Sequence, residues 1–178
     1  MSASLFPSRP EGQQSEHARL CQRALSFLNN YLKCQIAASE MSYGREIPDA
    51  IGWRWDDSVL IECKVSRADF LRDKKKAFRK EGEKSLGKYR FYLCPPGVIL
   101  PADLPPRWGL LYAEGRSIKK IVYPTGYSMN YGTWEQFRHE PNTAREMQLL
   151  VAIARRLRDG CPFIRARLGM RPPEPVPA

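Results

Sequence analysis

The stretch Glu46-Ile47-Pro48-Asp49-Ala50-Ile51-Gly52-Trp53, followed by Ser58-Val59-Leu60-Ile61-Glu62-Cys63-Lys64, decides how this chain is read. It reads as two short strands rich in branched and aromatic residues, joined by a tight polar turn at Asp56-Asp57. Directly opposed residues of an antiparallel pair hold their side chains about 5 Å apart. A turn centred on Asp56-Asp57 therefore sets Asp49 opposite Glu62 or Lys64, depending on register. Glu62 and Lys64 are two apart and share a strand face. Two carboxylates and an ammonium converge on one spot.

An ordinary amphipathic strand would give Val59, Ile61, Cys63 and Val65 to the core and turn Glu62 and Lys64 to solvent. Asp49 resists so plain a reading. On a strand over 47–53 it falls in phase with Ile47, Ile51 and Trp53, and a carboxylate on a bulky apolar face is costly unless paired or coordinated. Pro48, Ala50 and Gly52 make the opposite face, small enough for close packing by another element. Asp and Glu oxygens are hard donors of the kind that hold Mg²⁺ beside a substrate phosphate. A metal so held polarises the phosphoryl group and activates water, and a neighbouring lysine orients that water or offsets developing charge. The trio Asp49, Glu62 and Lys64 thus suits metal-assisted phosphodiester hydrolysis.

Working outward, Ser15 caps an amphipathic helix that carries Cys21, Ala24, Leu25, Leu28 and Leu32 at helical spacing. A strand over 34–38 follows, and Glu40 at its end is a candidate extra metal ligand. Beyond the hairpin, Ser66-x-x-Asp69 opens a second helix with Phe70, Leu71, Ala77 and Phe78 on its apolar side. Strands are expected over 89–94, 108–113 and 118–123, the last two turning at Glu114-Gly115. The Pro-rich segment 100–107 between them is too constrained for helix. Thr143-x-x-Glu146 reads as a capping box for a final helix that buries Met147, Leu150, Val151, Ala154 and Leu157. The fold expected is α/β, a mixed central β-sheet flanked by helices, over 15–165. Residues 1–14, rich in Ser, Pro, Gly and Gln, and the Pro-rich 166–178 are expected to be disordered tails.

The 178 residues carry a formal net charge of +10. Between Lys64 and Arg90 there are seven lysines and four arginines against two aspartates and two glutamates, an excess of seven positive charges. Arg67, Arg72, Lys74, Lys75, Lys76, Arg79 and Lys80 are therefore candidates for contact with a phosphate backbone, which positions a duplex without reading its sequence. The five cysteines (Cys21, Cys34, Cys63, Cys94 and Cys161) include no C-x-x-C spacing and argue for a reducing compartment and against a structural zinc site. His17 and His139 stand far apart, outside any ligand-spaced cluster, and read as structural or solvated. No apolar run is long enough for a membrane span and no signal-peptide pattern is present, so the expected location is the cytoplasm, away from membranes.

Pro48-Asp49 followed by Glu62-Cys63-Lys64 resembles the signature of the restriction-endonuclease-like, or PD-(D/E)XK, nucleases. The order helix, three strands, helix, strand resembles theirs too. Val65-Ser66-Arg67-Ala68-Asp69-Phe70, Asp73-Lys74, Phe91-Tyr92 and Trp108-Gly109-Leu110-Leu111 are similar to the MmcB-like DNA-repair branch, from which Pro48 and the loop over 124–141 depart. The resemblance spans about 46–113. It implies Asp49 and Glu62 as ligands of Mg²⁺ or Mn²⁺ with the Cys63 backbone carbonyl, Lys64 assisting the attacking water, and products with a 5′-phosphate. The partner implied is DNA, with RNA not distinguished from it. A homodimer would supply the two active sites that double-strand cutting needs. Two rival readings keep the fold and drop the chemistry: a nucleic-acid-binding module with a vestigial site, and a protein-interaction scaffold.

Overall fold

The structure, a computed structural model, describes residues 15–41, 47–74, 85–126, 132–158 and 164–166. Ser15 caps helix α1 (Glu16–Ser26), its hydroxyl accepting from the Ala18 N–H at 3.2 Å. Leu20, Cys21, Ala24 and Leu25 recur every three or four residues and make its buried face. The helix widens into a π-helical turn over Phe27–Tyr31. Strands β1 (Ile36–Ser39), β2 (Ala50–Arg54) and β3 (Asp57–Cys63) follow, then helix α2 (Arg67–Lys74) and strands β4 (Tyr89–Cys94), β5 (Trp108–Glu114) and β6 (Ser117–Val122). A 3₁₀ helix (Gly132–Phe137), helix α3 (Thr143–Arg158) and strand β7 (Ile164–Ala166) follow.

The strands form one open mixed sheet in the order β6-β5-β4-β3-β2-β1-β7. β1, β2 and β3 are antiparallel neighbours, and β7 lies antiparallel on β1. β3, β4 and β5 run parallel, and β6 returns antiparallel. The α/β class, a mixed sheet flanked by helices, is as the sequence leads one to expect. β3 lies at the centre and every one of its residues is buried.

A core lies on each side. Cys21, Ala24 and Leu28 pack with Ala37, Ala50, Val59, Ile61, Cys63 and Phe91 on one face. Phe70 of α2 and Leu149 and Ile153 of α3 pack with Ile51, Leu60, Tyr92 and Leu110 on the other. Gly52 lets the chain approach closely as its small-residue face promised: a Cβ there would come within 2.8 Å of Cys34 Sγ. Cys21, Cys34, Cys63 and Cys94 are free and buried, while Cys161 lies outside the described residues. Among the described residues, no helix is long and apolar enough to cross a membrane.

Several local expectations give way to tertiary structure. The first hairpin strand begins at Ala50, and Ile47 is exposed. Its turn is Trp55-Asp56, with Trp55 at φ 56°, while Asp57 is already in β3 opposite Arg54. Asp57 is buried and salt-bridged to Lys88, so a residue expected to face solvent is held by an ion pair. A single 3₁₀ turn, Pro101–Asp103, interrupts the Pro-rich segment. Asp69 reaches back to the Val65 N–H at 3.4 Å rather than to Ser66, whose hydroxyl accepts from Asp69 N at 3.2 Å. Leu71 is exposed, and Ala77 and Phe78 lie outside the described residues, as do 1–14 and 167–178.

The largest correction concerns α3. Its buried stripe is Glu146, Leu149 and Ile153, with Leu150 and Leu157 half-buried, while Met147, Val151 and Ala154 face solvent. Asn142 is the N-cap, its Oδ1 accepting from Arg145 N at 3.1 Å. Glu146 is thereby released for another task. One carboxylate oxygen accepts from Ser58 Oγ and from Gly87 N, both at 2.8 Å, and the other lies 3.4 Å from Trp53 Nε1. Gly87 has φ 86°, and a Cβ there would sit 2.5 Å from that of Leu60, so only glycine fits. Glu146 thus ties α3 to β2, β3 and the chain leading into β4.

Replacing Glu146 by Ala strands three buried donors, Ser58 Oγ, Gly87 N and Trp53 Nε1, and an unsatisfied buried donor costs about 1–3 kcal/mol. Urea denaturation should therefore show a loss of about 3 kcal/mol, against less than about 1 kcal/mol for Met147→Ala on the exposed face.

Candidate functional site

The opposite end of β3 holds the candidate chemistry. Asp49 directly precedes Ala50, which pairs with Ile61, so Asp49 falls across from Glu62. Its Oδ2 accepts from the Cys63 N–H at 2.8 Å, carrying the β2–β3 contact one step past the strand start. Lys64 N donates to Leu93 O at 2.9 Å, which keeps the chain leaving β3 against β4. Lys64 Nζ lies 3.2 Å from Glu62 Oε2 and 3.9 Å from Asp49 Oδ2. The three residues singled out in the sequence therefore meet.

Glu62 and Lys64 are each only 4% exposed, so the solvent-face reading of that pair fails. Glu62 alternates in phase with Leu60, which packs against Phe70 of α2 and Leu149 and Ile153 of α3, so it falls on that side of β3. Cys63 points the other way, into the core under α1. Only its backbone can face the carboxylates.

Helix α1 supplies a residue that the sequence alone leaves aside. His17 Nε2 lies 3.3 Å from Asp49 Oδ1, so the helix end is tied electrostatically to the site. The signal is present: His17 stands one helical turn before Cys21, on the face assigned to the core. Glu40 ends β1 at φ 52°, and its N–H donates to Asp49 O at 3.1 Å. Its exposed carboxylate groups with His17 and Cys21, all three donor atoms lying within 4.8 Å of one another.

The charges sort themselves accordingly. The hydrogen bond to Asp49 lifts His17 to a pKa of about 9, against the opposing effect of burial. Burial pushes the Asp49 carboxyl up, but the His17 hydrogen bond, the Lys64 charge and the Cys63 N–H together hold it below the ordinary carboxylate value. Burial, reinforced by the neighbouring Cys21, keeps the Cys63 thiol well above the usual range. His139 behaves oppositely to His17: burial and nearby Arg90 push it down to about 4, in keeping with a structural role.

The basic segment is described only in part. Arg67 is salt-bridged to Asp103 and stands 5.5 Å over the Phe70 ring, so its guanidinium clamps α2 to the Pro-rich segment. Arg72 is largely exposed, 3.8 Å from Asp69. Lys74 ends α2, and its side chain, together with Lys75, Lys76, Arg79 and Lys80, lies outside the described residues. Trp134 is buried against Tyr89 and offers no platform for stacking a base, and Tyr127 and Tyr131 lie outside the described residues.

No family model matches this chain, and no curated protein does. Among solved structures, a protein of unknown function from Silicibacter pomeroyi is similar, with a TM-score of 0.55 and 20% identity over 82% of this chain and 92% of its own. A likeness at that identity shows a shared fold and nothing about activity.

Because the His17 pKa is raised on folding, its contribution to stability is complete below about pH 6.5. It is lost as pH rises through about 9. Asp49→Asn should return the His17 imidazole towards its ordinary pKa and flatten stability across that window. An NMR titration of the ring protons checks the first, and denaturation at pH 6 and at pH 9.5 checks the second.

Proposed function

We propose that this protein is a divalent-metal-dependent nuclease of the PD-(D/E)XK, restriction-endonuclease-like kind, hydrolysing phosphodiester bonds of DNA. The observation that carries this reading is the burial of Glu62 and Lys64 together beside Asp49, at the carboxyl end of a parallel central strand. Open α/β sheets place their ligands at the carboxyl ends of their strands. The donor set also fits the metal: two carboxylates and a backbone carbonyl are hard oxygen ligands, suited to Mg²⁺ or Mn²⁺.

Asp49, Glu62 and the Cys63 carbonyl would hold the ion. When bound, it supplies a Lewis acid for the phosphoryl oxygen and a more acidic water. The protein's own residues do the rest. Glu62 fixes the Lys64 ammonium at 3.2 Å, so its charge is held in place before substrate arrives. An ammonium so placed orients the attacking water and offsets negative charge developing on the phosphorane-like oxygens. The Cys63 N–H fixes the Asp49 carboxylate, so that side chain needs little reordering.

The positive excess over 64–90 follows the site directly in the chain and gives a DNA backbone a reason to lie there. Four free buried cysteines accord with a reducing, cytoplasmic setting. A homodimer would bring two such sites to one duplex.

Incubation with linear, single-stranded and branched DNA, with Mg²⁺ or Mn²⁺ and with chelator, tests the proposal. Cleavage should require the metal and fall about a thousandfold or more in Asp49→Ala and in Glu62→Ala. Lys64→Ala should cost about a hundredfold. If both carboxylate variants cut like the unaltered chain, the site is not catalytic. Metal-independent, salt-sensitive DNA binding without cleavage would leave the binding-module reading instead.

A further inference from the structure

The face of α1 that meets the end of β1 presents donors of a different chemistry from the oxygen trio. His17 and Cys21 are one helical turn apart and share a face. Cys21 Sγ lies 3.6 Å from His17 Nδ1. Two donors on one tetrahedral zinc, at Zn–S about 2.3 Å and Zn–N about 2.0–2.1 Å, stand about 3.5 Å apart. Glu40 adds a carboxylate oxygen from the end of β1, and the three donor atoms fall within 4.8 Å of one another. An inward shift of about an ångström by the exposed Glu40 side chain would complete three-point ligation at those bond lengths.

A second observation points the same way. The opposite ring nitrogen, His17 Nε2, faces Asp49 Oδ1 at 3.3 Å. Metal-bound histidines characteristically donate their other N–H to a carboxylate, which fixes the tautomer and aims the ligating nitrogen. Cys21 Sγ lies off the edge of the ring, 3.6 Å from Nδ1 and 3.9 Å from Nε2, and with Nε2 turned to Asp49 it is Nδ1 that is left for a metal. The sulfur is fully buried, the imidazole is 37% exposed and Glu40 is open, so a cation can enter from solvent and close on the thiolate.

We propose that His17, Cys21 and Glu40 form a binding site for a thiophilic divalent cation, Zn²⁺ being the natural occupant, with water in the fourth position and Asp49 as the positioning carboxylate. Sulfur and imidazole donors disfavour Mg²⁺, so this site and the oxygen trio sort cations by hardness across the two sides of Asp49. Binding releases the Cys21 thiol proton to solvent along with any proton on His17 Nδ1. None of the three ligands belongs to the proposed hydrolytic trio, so the site stands whether or not the chain cuts DNA.

The test uses the full chain, stripped with chelator and titrated with Co²⁺ as an optical probe, then with Zn²⁺ as competitor. Expected is a thiolate-to-cobalt charge-transfer band that saturates at one equivalent per chain and is bleached by Zn²⁺ but not by excess Mg²⁺. Cys21→Ser should abolish the band, and Asp49→Asn should weaken cobalt affinity by about 10–100-fold. Cys94→Ser, in the opposite core, should leave the band intact, as should Glu62→Ala, which separates this site's failure from that of the nuclease proposal. His17→Ala, on the exposed side of the cluster, should also remove the band and decides the matter if Cys21→Ser does not fold. No thiolate band in the unaltered chain, or a band that survives both Cys21→Ser and His17→Ala, overturns the proposal.

Discussion

Lys64 brings an amino group to a place with almost no contact with water, and the end of the sheet closes two carboxylates on it. Moving such a group out of water costs several kcal/mol even in a relaxed protein, and only close opposite charge with good geometry repays that. Glu62 sits on the same strand face, and Asp49 is brought alongside by the β2–β3 register. The two negative side chains then need more than one positive partner, and His17 of α1 supplies the second. Two cations and two anions balance, which is why the fold tolerates them in a crowded place. The same balance explains the opposed shifts of His17 and Asp49, each holding the other in its charged form.

β3 carries polar machinery at both ends, and the two ends differ instructively. At its start, Asp57 pairs with Lys88, and Ser58 donates to Glu146 while accepting from Lys88 N at 2.9 Å. Those donors come from β3 and the approach to β4, and Glu146 of α3 spends both oxygens on neutral groups of the fold. Such a network fixes element positions. At the finish of β3, the polar groups lead outwards, through a half-exposed Asp49–His17 contact to an exposed Glu40. A ligand can reach the second cluster without unpacking the sheet.

Much of the central frame is legible from residues alone. β4 matches its expected span because a run bounded by Pro95 and by polar residues can hardly be placed otherwise. The convergence of Asp49, Glu62 and Lys64 follows from the period of two and a short turn. What escapes is set by contacts between elements distant in sequence. Asp57 reads as a turn residue because its partner, Lys88, is 31 positions away. Glu146 reads as a capping residue, yet Asn142 caps the helix and Glu146 turns to β3, which moves the buried stripe of α3 off the face its Met and Val residues propose. β7 is too short to announce itself and depends on β1 for its pairing. His17 escapes notice because its one-turn spacing from Cys21 gains meaning only once the strand that α1 meets is known.

Asp49 is where the two proposed metal chemistries touch. One of its oxygens is tied to the backbone of β3 and the other faces α1, so any change in how α1 seats on β1 is felt at the carboxylate beside Glu62. A hard cation in the proposed trio would draw on the oxygens of that residue directly, while a soft one held by His17 would reach it only through the imidazole. The backbone of Glu40 strengthens the link, since its N–H holds Asp49 O and its side chain points to the His17–Cys21 face. Helix α1 therefore acts as more than a lid on the hydrophobic core. Its first turn holds the Asp49 carboxylate in its charged form, and on that carboxylate the proposed chemistry at the end of β3 would depend.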